Sequence, residues 1–292
     1  GCGQPGTPRE PESRVLGGER GGLFLEFAEL FAAALVRGGV PGARAVATTG
    51  SQDNLARLTA GSGDFGAALI DSVQSHLAGS PGSVLAIGRV SQNYVHSVVR
   101  RGSPVRHLAE LRGTRIGVGA PGSGTRLSTL RILAAAGLPE GDFEAVPLGL
   151  NDGLAALDTG EVEALFWIGG VPTPAVTALH ARTPLRVLPL GELVRPLREE
   201  HGAFYDEAAI PAETYPGVPR TGTIGIGNLL VTRTDLPERL AHLAAETLLG
   251  DPGSLVPSGT ESIQFLGLDA LVQTGGVPLH PGAVSAYREA HG

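Results

Sequence analysis

The sequence predicts an α/β protein built as two lobes. Three observations carry this expectation. Short β-rich runs alternate with helix-period runs, the 292 residues exceed the ~100 to 200 of one compact domain, and a strand-turn-helix plan restarts near residue 115.

Each element follows from its local pattern. Residues 14–16 read as a strand and Gly17 to Gly22 as a glycine-rich turn. A helix over 23–36 places Leu23, Phe27, Leu30, Phe31 and Ala34 on one face and stops at Gly38-Gly39. A strand over 43–48, a turn over 49–51 and a helix over 53–60 repeat the plan, and 64–70 is a buried strand. Residues 83–101 form one long extended run of β-branched and apolar positions, enough to cross between lobes. After a short helix over 105–111, the second lobe opens with a strand over 115–119, a turn over 120–124 and a helix over 125–136 closed by Gly137. A helix over 151–159 turns Leu154 and Leu157 inward, and strands follow at 164–168 and 185–190, with Pro172 and Pro174 breaking the chain between them. Residues 195–220, rich in charge and turn formers, read as a surface excursion. A β-like run over 223–232 and helices over 236–249, 262–271 and 283–290 finish the chain, with no short-period repeat.

Composition narrows function. The 29 acidic residues outnumber 22 basic ones, all arginine and dispersed, so no basic face exists to track phosphates and nucleic acid is not an expected partner. Apolar residues make up 42%, yet no unbroken run approaches the ~18 to 20 residues of a bilayer span. Cys2 is the single cysteine, which rules out an intrachain disulfide and a cysteine metal cluster. It heads a polar Pro/Gly-rich stretch, so residues 1–12 are expected to be a flexible tether.

The strongest chemical signal is the bend Val118-Gly119-Ala120-Pro121-Gly122-Ser123-Gly124-Thr125 between a strand and a helix. Backbone amides, the Ser123 and Thr125 hydroxyls and the positive helix N-terminus would receive an anion such as a carboxylate; helix capping alone explains the bend as well. Gly17-Gly18 and the 48–54 stretch, with Ser51 and Asn54, are counterparts in the first lobe. All sit at carboxyl ends of strands, where α/β sheets bind ligands, so facing edges would enclose a small molecule. Residues 117–122 also fit G-x-G-x-x-G, which keeps a nucleotide-dependent enzyme as a rival, although Glu140, Asp142 and Glu144 precede the next strand instead of tipping it. The eight histidines show no metal spacing and Ser123 lacks a G-x-S-x-G elbow, so no catalytic residue, metal or cofactor is expected. Asp71 reads as a general base or a capping carboxylate, and Trp167 as a stacking or a core residue.

Five ordered blocks carry a family resemblance: residues 48–66 (TTGSQDNLARLTAGSGDFG), 107–125 (HLAELRGTRIGVGAPGSGT), 171–176 (VPTPAV), 210–217 (IPAETYPG) and 277–283 (VPLHPGA). Over nearly the whole chain after the tether, the sequence resembles the TAXI family, the extracytoplasmic solute-binding receptors of tripartite (TRAP) transporters. The resemblance implies a type II periplasmic-binding-protein fold, with lobe I at 13–93 plus 225–292 and lobe II at 94–224, joined by two crossing strands. It implies a monomeric receptor, not an enzyme, that closes over a small organic solute, often a carboxylate, and hands it to a TRAP permease; an ABC importer or a membrane sensor is the alternative partner. Carried over position by position, the site comprises Gly17, Gly18, Ser51, Asn54, Asp71, Ser123, Gly124, Thr125 and the strand end at Trp167, Gly169 and Gly170.

Where relatives carry Thr-Tyr-Tyr after the first glycine pair, this chain has Leu23-Phe24-Leu25, and where they carry Gln-Ser before the Asp it has Leu69-Ile70. The expected pocket, with Leu23 and Phe24 in its wall, is therefore less polar than that of glutamate-binding relatives. Gly1-Cys2 and the tether also resemble a bacterial lipoprotein after signal removal, which implies a lipid on Cys2 and anchoring at the outer face of the cell membrane; a free cysteine is the alternative. Two lobes that close on a guest are expected to meet edge to edge, not as a single continuous sheet, with room for the guest between Ser51 and Ser123.

Overall fold

The computed structural model describes residues 12–257 and 267–292. Cys2, nearly all of the tether and the first half of the helix expected over 262–271 lie outside the described residues. The first half of the chain runs β1 (Ser13–Leu16), α1 (Leu23–Arg37), β2 (Ala43–Val46), α2 (Ser51–Thr59), β3 (Phe65–Leu69), α3 (Ile70–Gly79) and the 17-residue β4 (Val84–Arg100). It continues through β5 (Arg115–Gly117), α4 (Gly124–Ala135), β6 (Glu144–Val146), α5 (Leu150–Thr159), β7 (Ala164–Gly169), α6 (Pro174–Arg182), β8 (Leu185–Val187), α7 (Val194–His201) and β9 (Tyr205–Ile210). The second long strand, β10 (Thr221–Arg233), leads into α8 (Glu238–Gly250), α9 (Leu268–Leu271) and α10 (Pro281–His291).

Two copies of one plan are visible in the pairing. β1 lies between β2 and β3, all parallel, and β10 runs antiparallel along β3 through residues 228–232. In the second lobe β5 lies between β6 and β7, all parallel, and β4 runs antiparallel along β7 through residues 94–99. Each lobe thus has three parallel strands plus one strand lent by the crossing pair, which is the two-lobe type II arrangement. Because β4 and β10 also pair with each other from Val84/Arg233 to Tyr94/Gly225, hydrogen bonds join all ten strands into one sheet, eight of them along the path β2-β1-β3-β10-β4-β7-β5-β6, with β8 branching from β4 and β9 from β10. Contrary to expectation the sheet is a single continuous one, because the two crossing strands pair with each other as well as with their lobes, and the two parallel groups hang from opposite ends of it.

β3 and β7 are buried at every position, as expected for parallel strands covered on both faces. Around them Phe27, Phe31, Phe65, Leu230 and Leu248 fill one side of the first lobe, and Val98, Leu157, Leu165 and Tyr215 part of the second.

Several local expectations are corrected. Helix α2 starts at Ser51 and not at 53, so its first amides reach the bend itself. Pro174 does not break the chain but opens α6 at the first helical position, where a missing N–H costs nothing. The stretch 195–220 is not a surface excursion: it contains most of α7 and all of β9, with Leu197, Tyr205, Ile210 and Tyr215 fully buried. Its charges lie on the outer face of an amphipathic helix and mask the buried face. The helix expected over 105–111 is a single 3₁₀ turn over Leu108–Leu111, and α3, which follows β3 without a loop, has no counterpart in the sequence reading.

Candidate interlobe cleft

The carboxyl ends of β1, β3, β5 and β7 meet at one cleft. Its first-lobe wall is Gly18, Gly22, Leu23, Phe24, Thr49, Gly50, Ser51 and Leu69, its second-lobe wall Ser123, Gly124, Thr125, Trp167 and Ile168, and Asn93 of β4 comes from the crossing. Among the described residues Glu19 is the only charged one in the lining. Of the residues expected in the site, Gly18, Leu23, Phe24, Ser51, Ser123, Gly124, Thr125 and Trp167 line this cleft, whereas Gly17, Asn54, Asp71, Gly169 and Gly170 stand behind or beside it.

Two helix N-termini face each other here. Ser123 caps α4, its Oγ accepting from Arg126 N at 3.1 Å and donating to Ala120 O at 2.7 Å. The amides of Gly124 and Thr125 precede the first intrahelical donor and have no acceptor among the described residues, and the Thr125 hydroxyl likewise has no partner among them. On the first lobe, Ser51 Oγ accepts from Leu69 N at 3.0 Å, and Asp53 N of α2 donates across the cleft to Gly122 O at 2.9 Å. The two bends touch: a Cβ on Gly124 would lie 2.5 Å from Ser51 Oγ. The room expected between Ser51 and Ser123 is therefore taken up in this conformation, because the α2 amide finds its acceptor on the opposite bend. The remaining cavity is about 30 Å³, room for one or two waters and far below the roughly 150 Å³ that holds benzene.

The residues set back from the cleft have visible work. Asn54, fully buried, donates to Gly17 O and Ala67 O at 2.7 Å each and accepts from Thr48 Oγ1 at 2.6 Å, tying the ends of β1 and β3 to the 48–50 bend. Asp71, also fully buried, accepts from Ser128 Oγ of α4 at 2.6 Å and from Tyr205 OH of β9 at 3.1 Å, so a first-lobe carboxylate bonds two second-lobe hydroxyls. Burial raises its pKa, against the lowering effect of these donors and of Arg131. Glu19 makes another crossing contact, accepting from Leu150 N at the start of α5 at 3.3 Å, and Asn151 Nδ2 donates to Arg20 O at 3.3 Å. Burial raises the Glu19 pKa as well.

Trp167 is held by a chain of bonds that sequence reasoning missed. Its Nε1 donates to Thr173 Oγ1 at 3.2 Å, and Thr173 N donates to Tyr215 OH at 2.9 Å. The Tyr215 hydroxyl lies 2.7 Å from His96 Nε2, and His96 Nδ1 lies 3.0 Å from Tyr94 O. A carbonyl only accepts, so Nδ1 carries the proton and Nε2 accepts from Tyr215. Burial drives the His96 pKa down to about 4. Asn93 was missed too; its only sequence signal is a polar amide inside the long apolar run of β4.

The glycine bend of 117–122 is engaged in the contact between lobes, through Gly122 O. The acids that a ribose contact would need lie at the amino ends of β5 and β6, away from the bend, Asp142 paired with Arg112 and Glu144 with Arg115. Among the described residues no helix is long and apolar enough to cross a membrane.

The pattern of the NMT1-like family matches residues 25–290. The chain belongs to the NMT1-like family. Solved structures similar to this NMT1-like protein share its fold at low identity. A Bordetella bronchiseptica protein matches at 16% identity over 95% of this chain and 88% of its own, with a TM-score of 0.57. A Listeria monocytogenes protein described as an L-cystine ABC transporter matches at 16% over 84% and 92%, with a TM-score of 0.54. The alkanesulfonate-binding protein SsuA of Xanthomonas axonopodis pv. citri, bound to MOPS, matches at 19% over 96% and 84%, with a TM-score of 0.50.

Proposed function

We propose that this NMT1-like protein is an extracytoplasmic solute-binding receptor, not an enzyme. It captures a small organic solute between lobes dividing near 93/94 and 224/225 and presents the closed form to a membrane transporter. The observation that carries this reading is the pair of acceptor-free amides at Gly124 and Thr125, on a wall that meets the α2 N-terminus of the other lobe. Such a wall stabilises a carboxylate or similar anionic end through oriented N–H groups and the helix dipole. The opposite wall, with Leu23, Phe24 and Leu69, favours an apolar body.

The cycle needs no covalent step. Solute enters with the lobes parted, bridges both walls, and shifts the equilibrium by the difference between its affinities for the two forms. The sequence blocks favour a TRAP-type permease as recipient; the name of the cystine-related neighbour favours an ABC importer. A lipid on Cys2 would keep the receptor, acting as a monomer, at the outer face of the membrane.

Native mass spectrometry of protein purified without denaturation tests the reading. A small mass should accompany the wild type and diminish with Thr125→Ala. Solute retained equally by the variant would place binding outside this cleft.

A further inference from the structure

Among the described residues, Asn93 is the one amide side chain in the cleft wall, and both of its hydrogen-bonding atoms are idle. It is fully buried, and neither its Nδ2 nor its Oδ1 has a partner. Its polar neighbours do not serve it: Ser91, two residues away on the same face of β4, accepts from Asn228 Nδ2 of β10 at 3.2 Å, and Asn228 Oδ1 is itself idle. Leaving both a donor and an acceptor unpaired in a desolvated place is costly, and native proteins tolerate it chiefly where function demands it.

Resting on the receptor reading, we infer that Asn93 recognises the solute by a paired edge, an N–H beside a C=O, as in a carboxamide or lactam. The argument is one of complementarity. A primary amide presents one donor side and one acceptor side in a plane, and flipping it exchanges them without changing the count. A carboxylate would meet Nδ2 with one oxygen but set the lone pairs of the other against Oδ1. A carboxamide satisfies both at once. Among the described residues no arginine lines the cleft, and Glu19 is its only charged group, so a neutral edge at the crossing strands and an anionic end at Gly124 and Thr125 divide the recognition between two different chemistries.

The test uses uniformly ¹⁵N-labelled wild-type protein, with the Asn93 side-chain amide and the Gly124 and Thr125 backbone amides followed while acetamide or acetate is added into the millimolar range. Acetamide should move the Asn93 signal saturably and acetate should not, while acetate moves Gly124 and Thr125. In parallel, Asn93→Leu should raise Tm by about 2 to 4 °C, because an idle buried amide is removed. An Asn93 signal indifferent to acetamide, or moved equally by both probes, overturns carboxamide recognition, as does a fall in Tm for Asn93→Leu. If Gly124 and Thr125 still respond in those cases, the receptor reading survives; if no signal moves with either probe, both readings fail.

Discussion

At the scale of single residues, the sole tryptophan is the most useful reporter, because its orientation depends on groups far away in sequence. Tyr215 joins His96 to Thr173, and Thr173 holds the Trp167 indole. Tyr215→Phe removes the shared hydroxyl and leaves His96 Nε2 and the Thr173 amide without partners, so it should cost about 1 to 3 kcal/mol of stability. It should also shift Trp167 emission; a chemical denaturation followed by fluorescence reads both, and an unchanged native spectrum would uncouple Tyr215 from the cleft. His96 makes stability depend on pH. Its folded pKa of about 4 lies below its ordinary 6.5, so between these values the unfolded chain takes up a proton that the folded one refuses. Stability should fall as pH drops through that window, by up to about 3 kcal/mol, and level off below it. Urea midpoints at pH 7 and pH 4, with His96→Gln as the control that flattens this component, check the sign.

At the scale of elements, the N-terminus of α4 separates two roles that look alike in the sequence. Ser123 spends its hydroxyl on the cap, so Ser123→Ala should cost about 1 kcal/mol of stability whatever it does to binding. The Thr125 hydroxyl has no partner among the described residues, and Thr125→Ala should keep stability within about 0.5 kcal/mol while weakening solute retention. Thermal melts beside native mass spectra distinguish the two; a large loss of stability in Thr125→Ala would show an unrecognised structural role. The same contrast explains what was legible beforehand. The strand-turn-helix repeats, the long β4 and the bends at 48–54 and 118–125 announce themselves through glycines, caps and hydrophobic period. Helix α6 was hidden because proline marks both a break and a first helical position, and α7 and β9 because charges on one face drown the apolar residues on the other. Asn93 stayed invisible for a different reason: an amide within an apolar strand gains meaning only when its partners, or their lack, are known.

At the scale of the whole molecule, closure rests on contacts that cross between lobes at several places, the Arg89–Asp206 ion pair at 3.2 Å among them. Asp53 N meets Gly122 O, Glu19 and Arg20 meet the start of α5, and Asp71 meets Ser128 and Tyr205. Each unites groups that would otherwise face water, so the net gain of any one is modest and the closed form is poised to respond to a solute. Asp71→Ala removes two of the bonds, leaving Ser128 Oγ without an acceptor and Tyr205 OH with Arg131 alone, which should shift the balance toward the parted form by about 1 to 3 kcal/mol, or 5- to 150-fold. Gly124→Ala acts by a different route: its methyl would lie 2.5 Å from Ser51 Oγ and 2.9 Å from Leu69 Cδ1, so the bends could not meet. Small-angle scattering should give a larger radius of gyration for both variants, with Trp167 emission moving toward that of a wetter indole. Because one variant deletes attraction and the other adds repulsion at a separate point of the seam, agreement between them isolates lobe closure as the cause. A Gly124→Ala protein as compact as the wild type would mean that the seam yields locally and that the lobes do not move as bodies.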